Sequence, residues 1–106
     1  MRFVRGRVLD LGCGAGRVGL HLQSRGHEVV GIDVSPLLVQ IARQRGLADV
    51  RLGTFNNAVE VGERFDTILL LGNNLGILAG EQQGRRLLRK LARVATDSGR
   101  ILAGSY

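Results

Sequence analysis

The chain has 106 residues, 44% of them hydrophobic, with 15 basic against 9 acidic side chains and a net charge of +6. That length supports one domain spanning residues 1–106, and the composition, with mean hydropathy near zero, excludes general disorder. No apolar run reaches the ~18 residues of a membrane span, and the arginine-rich start carries no secretory pattern; the single cysteine, Cys13, makes no internal disulfide and fits a reducing cytoplasm.

Strand and helix signals alternate along the chain. Residues 7–11 (Arg-Val-Leu-Asp-Leu) are short, apolar and followed by glycines, which predicts a buried strand. A helix over Ala15–Arg25 presents Val18 and Leu22 on one face and stops at Gly26. Glu28–Asp33 predicts a second strand. Ser35-Pro36 then opens a helix: serine caps it, and proline at the first helical position gives up no needed donor. This helix carries Leu38, Ile41 and Ala42, and ends at Gly46. Asp49–Leu52 predicts a short third strand.

Phe55–Gly62 reads as a loop with one helical turn. Phe65–Leu71 (Phe-Asp-Thr-Ile-Leu-Leu-Leu) is the strongest strand signal, apolar enough to be buried on both faces. After a loop over Gly72–Gly80, Glu81–Ala95 predicts an amphipathic helix. Leu87, Leu88, Leu91, Ala92, Val94 and Ala95 fill one arc of it, and Arg85, Arg86, Arg89 and Arg93 fill another. A turn at Asp97–Gly99 leads into a fifth strand, Arg100–Ala103. The order βαβαβ(loop)βαβ predicts an α/β doubly wound, mostly parallel sheet with right-handed crossovers and helices on both faces. Ligands of such sheets sit at the carboxyl ends of the strands. Gly12–Gly16, Asp33–Ser35, Gly53–Phe55 and Gly72–Asn74 are therefore the segments of interest.

Asp10-Leu-Gly12-Cys-Gly14-Ala-Gly16 joins the first strand to the first helix. Gly12 allows a tight turn, Gly14 lets a ligand approach the backbone, and Gly16 permits close helix packing. Asp33 ends the second strand, where a carboxylate can accept from both hydroxyls of a ribose. Gly14, Gly16 and Gly19 also spell the dinucleotide fingerprint G-x-G-x-x-G. Asp10, at the end of the first strand, argues against that reading. A pyrophosphate there meets a second negative charge, whereas a ligand with an ammonium and a sulfonium is attracted.

Val8–Gly16 (Val-Leu-Asp-Leu-Gly-Cys-Gly-Ala-Gly) resembles the first motif of class I S-adenosylmethionine-dependent methyltransferases, and Val29–Pro36 (Val-Val-Gly-Ile-Asp-Val-Ser-Pro) resembles their second. Phe65–Leu71 and Ala92–Leu102 are similar to the later signatures. The resemblance implies a Rossmann-like core of strand order 3-2-1-4-5 that binds S-adenosyl-L-methionine. Asp10 and the loop of Gly12, Cys13, Gly14 and Gly16 would hold the methionine part, and Asp33, with Val34 beside it, the ribose. The family often has an acidic residue after the third strand, near the adenine amino group. Here Thr54 stands there and can accept one hydrogen bond, and Phe55 could cover the ring. Asn73 and Asn74 follow the fourth strand, where related enzymes place polar groups, and Asn73 is counted with the cofactor set; the same loop also reads as a simple turn. Family members usually have seven strands, so the resemblance implies a fragment or a minimal cofactor core.

No catalytic residue is assigned. Placing an acceptor in line with the methyl needs neither a metal nor a strong base. His21 and His27 lack partners at zinc spacing, and no nucleophile elbow marks a hydrolase. Cys13 reads as a small residue tolerated in the glycine loop. The excess of arginine suits an acidic partner or a plain solvated face. Nucleic acid is unsupported, because no aromatic residues alternate with the arginines and the Asn-Pro-Pro-aromatic motif of nucleic-acid amino methyltransferases is missing. A small-molecule acceptor is expected. The rival readings are a nicotinamide-dependent oxidoreductase domain and a binding module of the same fold without turnover. The apolar edge at Arg100–Ala103, with no proline, invites pairing with a second copy.

Overall fold

A computed structural model describes residues 4–71 and 81–104. Five strands, β1 (Val8–Leu11), β2 (Val29–Asp33), β3 (Asp49–Leu52), β4 (Phe65–Leu71) and β5 (Ala95–Gly104), form one parallel sheet in the order β3-β2-β1-β4-β5. Helices α1 (Arg17–Ser24), α2 (Pro36–Gln44), α3 (Phe55–Ala58) and α4 (Glu81–Val94) fill the crossovers. The predicted fold class, strand order and two-sided helix cover are all present.

Strand alternation sorts the core into two layers. Val8, Val29, Val50 and Leu69 face α1 and α2, where Leu22, Val39, Ala42 and Leu47 meet them. Leu9, Leu11, Val30, Ile32, Ile68 and Leu70 face the other way, toward Leu91 of α4 and the partly buried Phe55. Ser35 caps α2 as expected: its hydroxyl accepts from the Leu38 N–H at 3.3 Å, with Pro36 at the first helical position.

Two predictions at the far end of the chain are corrected. Asp97–Gly99 is not a turn ahead of the last strand but part of a bulge inside it. Ala95 already pairs with Phe65, and the next partner of β4, Thr67, pairs with Arg100. The Thr96 hydroxyl donates to Asp66 Oδ1 at 3.0 Å and Arg5 donates to the Ser98 carbonyl at 3.0 Å, so tertiary bonds hold the extra residues against the sheet. The apolar arc of α4 is also narrower than predicted. Leu91 is fully buried and Leu87 and Val94 pack beside it, whereas Leu88 is 41% exposed and Ala92 is exposed. Positions 87, 91 and 94 form one stripe; 88 and 92 are rotated about 100° from their neighbours in sequence and miss the sheet.

At the opposite end of the strands from the glycine loop, Glu63 ties three segments together. It accepts from Arg51 at 2.7 and 2.9 Å and from Arg7 at 3.1 Å. These bonds hold its carboxyl down at about 2.

Candidate functional site

The glycine loop leaves β1 and is pinned to β2 before α1 begins. The N–H groups of Gly12 and Cys13 both donate to the Ile32 carbonyl, at 2.7 and 2.9 Å. Gly14 has φ +57°, and a Cβ built on it meets nothing within 4 Å. Its backbone therefore faces open space, as a close ligand approach requires. Its N–H donates to Asp33 Oδ2 at 2.8 Å, while Asp33 Oδ1 accepts from the Ser35 N–H at 2.9 Å. Asp33 thus joins the loop, the end of β2 and the start of α2.

Gly16 serves packing. A Cβ there would stand 3.1 Å from that of Ala42, so α1 and α2 approach at this point. Cys13 turns its side chain into the core over Gly31, where a Cβ would come within 2.9 Å of the sulfur. Burial, with Asp10 and Asp33 nearby, pushes its thiol up to about 12. Only the backbone of Cys13 is left to the loop's outer face.

Asp10 is 4% exposed. Burial first, and the Asp33 charge second, raise its carboxyl from 3.8 to about 6. A carboxylate in that position is under-solvated and is stabilised by any cation brought to it.

A cavity of about 420 Å³ opens at the carboxyl ends of β1, β2 and β3. Leu11 and Gly12 come from the first strand and its loop, Ile32, Asp33 and Val34 from the second, Gly53 through Asn56 from beyond the third, and Leu87 from α4. The structure therefore brings Gly12, Asp33, Val34, Thr54 and Phe55 into one lining, whereas Asp10, Cys13, Gly14 and Gly16 do not line this cavity. Val34 is 67% exposed, an apolar side chain held in the open beside Asp33. The Thr54 N–H donates to Asn57 Oδ1 at 2.8 Å, which fixes the start of α3 and sets Phe55 at the cavity wall. Asn73 and Asn74 lie outside the described residues.

Four lining residues escaped sequence reading. Leu11 and Ile32 carried a signal, since both are the apolar neighbours of a predicted site residue on a strand end. Asn56 and Leu87 carried none: one lies in an unpatterned stretch, the other in a helix distant in sequence.

The family model of the methyltransferase domain matches residues 8–99, from β1 into the β5 bulge. The chain belongs to the methyltransferase-domain family. The 2-heptyl-1-hydroxyquinolin-4(1H)-one methyltransferase of Mycobacteroides abscessus is 39% identical to it over 72 residues, covering 62% of this chain and 32% of the relative. A ubiquinone biosynthesis O-methyltransferase of Azorhizobium caulinodans is 36% identical over 70 residues, covering 61% of this chain and 28% of the relative. A crystallised SAM-dependent methyltransferase from Bacteroides fragilis, in complex with S-adenosyl-L-homocysteine, superposes with a TM-score of 0.85 at 35% identity, over 94% of this chain and 42% of that one. This methyltransferase domain spans about a third of the length of the two curated relatives. Among its described residues no helix is long and apolar enough to cross a membrane.

Proposed function

We propose that this domain binds S-adenosyl-L-methionine and serves a methyltransferase acting on a small-molecule acceptor. The observation that carries the reading is that two carboxylates, Asp10 before the glycine loop and Asp33 bonded to it, feel each other's charge. One carboxylate is buried and under-solvated, the other stands in the lining of a cavity of about 420 Å³. Two carboxylates there oppose a pyrophosphate and favour a ligand with a cationic amino acid end and a neutral ribose, so the nicotinamide reading is disfavoured.

When bound, S-adenosyl-L-methionine supplies an electrophilic methyl group on a sulfonium. The chain's own residues bind and orient. Asp10 offers its charge to the ammonium side of the ligand, and the open backbone at Gly14 admits the methionine part. Asp33 keeps lone pairs for the ribose diol beyond the two it gives to Gly14 and Ser35. Val34, Phe55 and Leu87 supply apolar walls for the adenine, with Thr54 at its edge. Holding the cofactor in one pose, so that an acceptor approaches in line, is the domain's contribution to rate.

The small-molecule acceptor is supported by the quinolone and ubiquinone-pathway names of the two relatives. Incubation with methyl-labelled S-adenosyl-L-methionine and a panel of hydroxylated quinolones and phenols tests it. Label transferred to at least one acceptor supports the reading; label transferred only to RNA or protein controls contradicts it.

A further inference from the structure

Phe55 and Asn56 line a second cavity as well as the first. It measures about 500 Å³ and runs as a groove between the 55–64 segment and α4. Its floor is apolar: Phe55, Val59 and Val94, all packed on the core beneath. Its rim carries three cations, Arg64, Lys90 and Arg93, and one carboxylate, Glu60. None of the three cations takes part in an ion pair among the described residues. Lys90 donates to Asn56 Oδ1 at 3.0 Å, and Arg64 donates to the Glu63 carbonyl at 2.9 Å. The neighbouring acid, Glu63, is engaged by Arg51 and Arg7. Val61 stands fully exposed at the mouth.

Unpaired cations over an apolar, low-dielectric wall attract a particular ligand chemistry. A simple inorganic anion leaves the floor unused, and an apolar cation is repelled. We propose that this groove is a binding site for an amphipathic anion. The apolar body lies on Phe55, Val59 and Val94, and a carboxylate, phosphate or sulfate head sits among Arg64, Lys90 and Arg93. The site is separate from the cofactor cavity, with Phe55 and Asn56 as the shared wall.

Titration of the full chain with octyl phosphate below its micellar range tests the site, read by calorimetry and by backbone amide shifts. Saturable one-to-one binding is expected, with the largest shifts at Val59, Val61 and Val94. Inorganic phosphate should bind at least tenfold more weakly, and octyltrimethylammonium should not saturate. The double variant Lys90→Gln/Arg93→Gln, at two exposed positions, should lose at least tenfold in affinity. Arg86→Gln, on the same helix but outside the groove, should change it less than twofold. Non-saturable binding, equal binding of the octyl cation, shifts centred elsewhere, or equal losses in the two variants would overturn the proposal. The amide shifts of the unmodified chain decide the matter even if the double variant does not fold.

Discussion

The Gly14 N–H donates to the Asp33 carboxylate at 2.8 Å, a bond across the mouth of the sheet that fixes the glycine loop to the end of β2. One side chain therefore shapes the loop and faces the cavity. Asp33→Ala is expected to weaken S-adenosyl-L-homocysteine binding by about 2–4 kcal/mol, through lost ribose acceptors and a loosened loop. Asp33→Asn, which keeps one acceptor, should lose less. Calorimetric titration of both variants checks this; unchanged affinity in Asp33→Ala would remove the ribose assignment.

Asp10 makes binding depend on pH. Its carboxyl is raised from 3.8 to about 6, so the folded, ligand-free chain takes up its proton more readily than the unfolded chain does. The stability this confers is complete below about 3.8 and is lost as pH rises through about 6. Ligand binding runs the other way, because an ammonium group needs the ionised form. Affinity for S-adenosyl-L-homocysteine should rise as pH increases through about 6 and flatten above it. Asp10→Asn should abolish that rise and, at pH 7, stabilise the free protein by about 1–3 kcal/mol. Titrations and thermal melts over a pH range that spans that value measure both. A pH-independent affinity in the unmodified chain would count against Asp10 as the cation's partner.

Gly14→Val separates folding from binding. The φ of +57° is costly for a β-branched residue, about 1–3 kcal/mol, yet no neighbour lies within 4 Å of the added Cβ. The fold should survive by circular dichroism with a lower melting temperature, while cofactor binding disappears because the side chain fills the approach to the loop. Retained binding would show that the ligand does not meet this backbone.

Two of the three leucines of α4, Leu88 and Leu91, differ in consequence although they look alike in sequence. Leu91→Ala should cost about 2–5 kcal/mol, since that side chain is wholly buried in the core cluster with Leu9, Val30 and Ile68. Leu88→Ala should cost under about 1 kcal/mol, because Leu88 is 41% exposed. Chemical denaturation of the two variants checks the narrow stripe; equal losses would mean that Leu88 is buried in solution.

Strands β1, β2 and β4 are legible because each is a short, mainly apolar run closed by glycine or a charged residue, and β4, with Ile68, Leu69 and Leu70 all buried, is the clearest case. Asp10 and Asp33 stand out in the sequence because each puts a carboxylate at a strand end beside the glycine loop, where a ligand of such sheets sits. The bulge in β5 was not legible: Asp97-Ser98-Gly99 has turn chemistry, and only the tertiary bonds from Arg5 and to Asp66 show that it belongs to a strand. Helical periodicity placed Leu88 and Leu91 in one arc because it registers apolarity, whereas burial depends on how wide a stripe the sheet beneath can touch. Cys13 sits among the loop residues in sequence, yet the missing side chain at Gly31 opens the space that draws it inward.

The central claim is that the cavity lined by Gly12 of the glycine loop and by Asp33 is built for the S-adenosyl cofactor. Calorimetric titration of the unmodified chain with S-adenosyl-L-homocysteine, and separately with NAD, tests it most directly. The account predicts saturable one-to-one binding of S-adenosyl-L-homocysteine and no measurable binding of NAD. Binding of NAD in preference to S-adenosyl-L-homocysteine would contradict it.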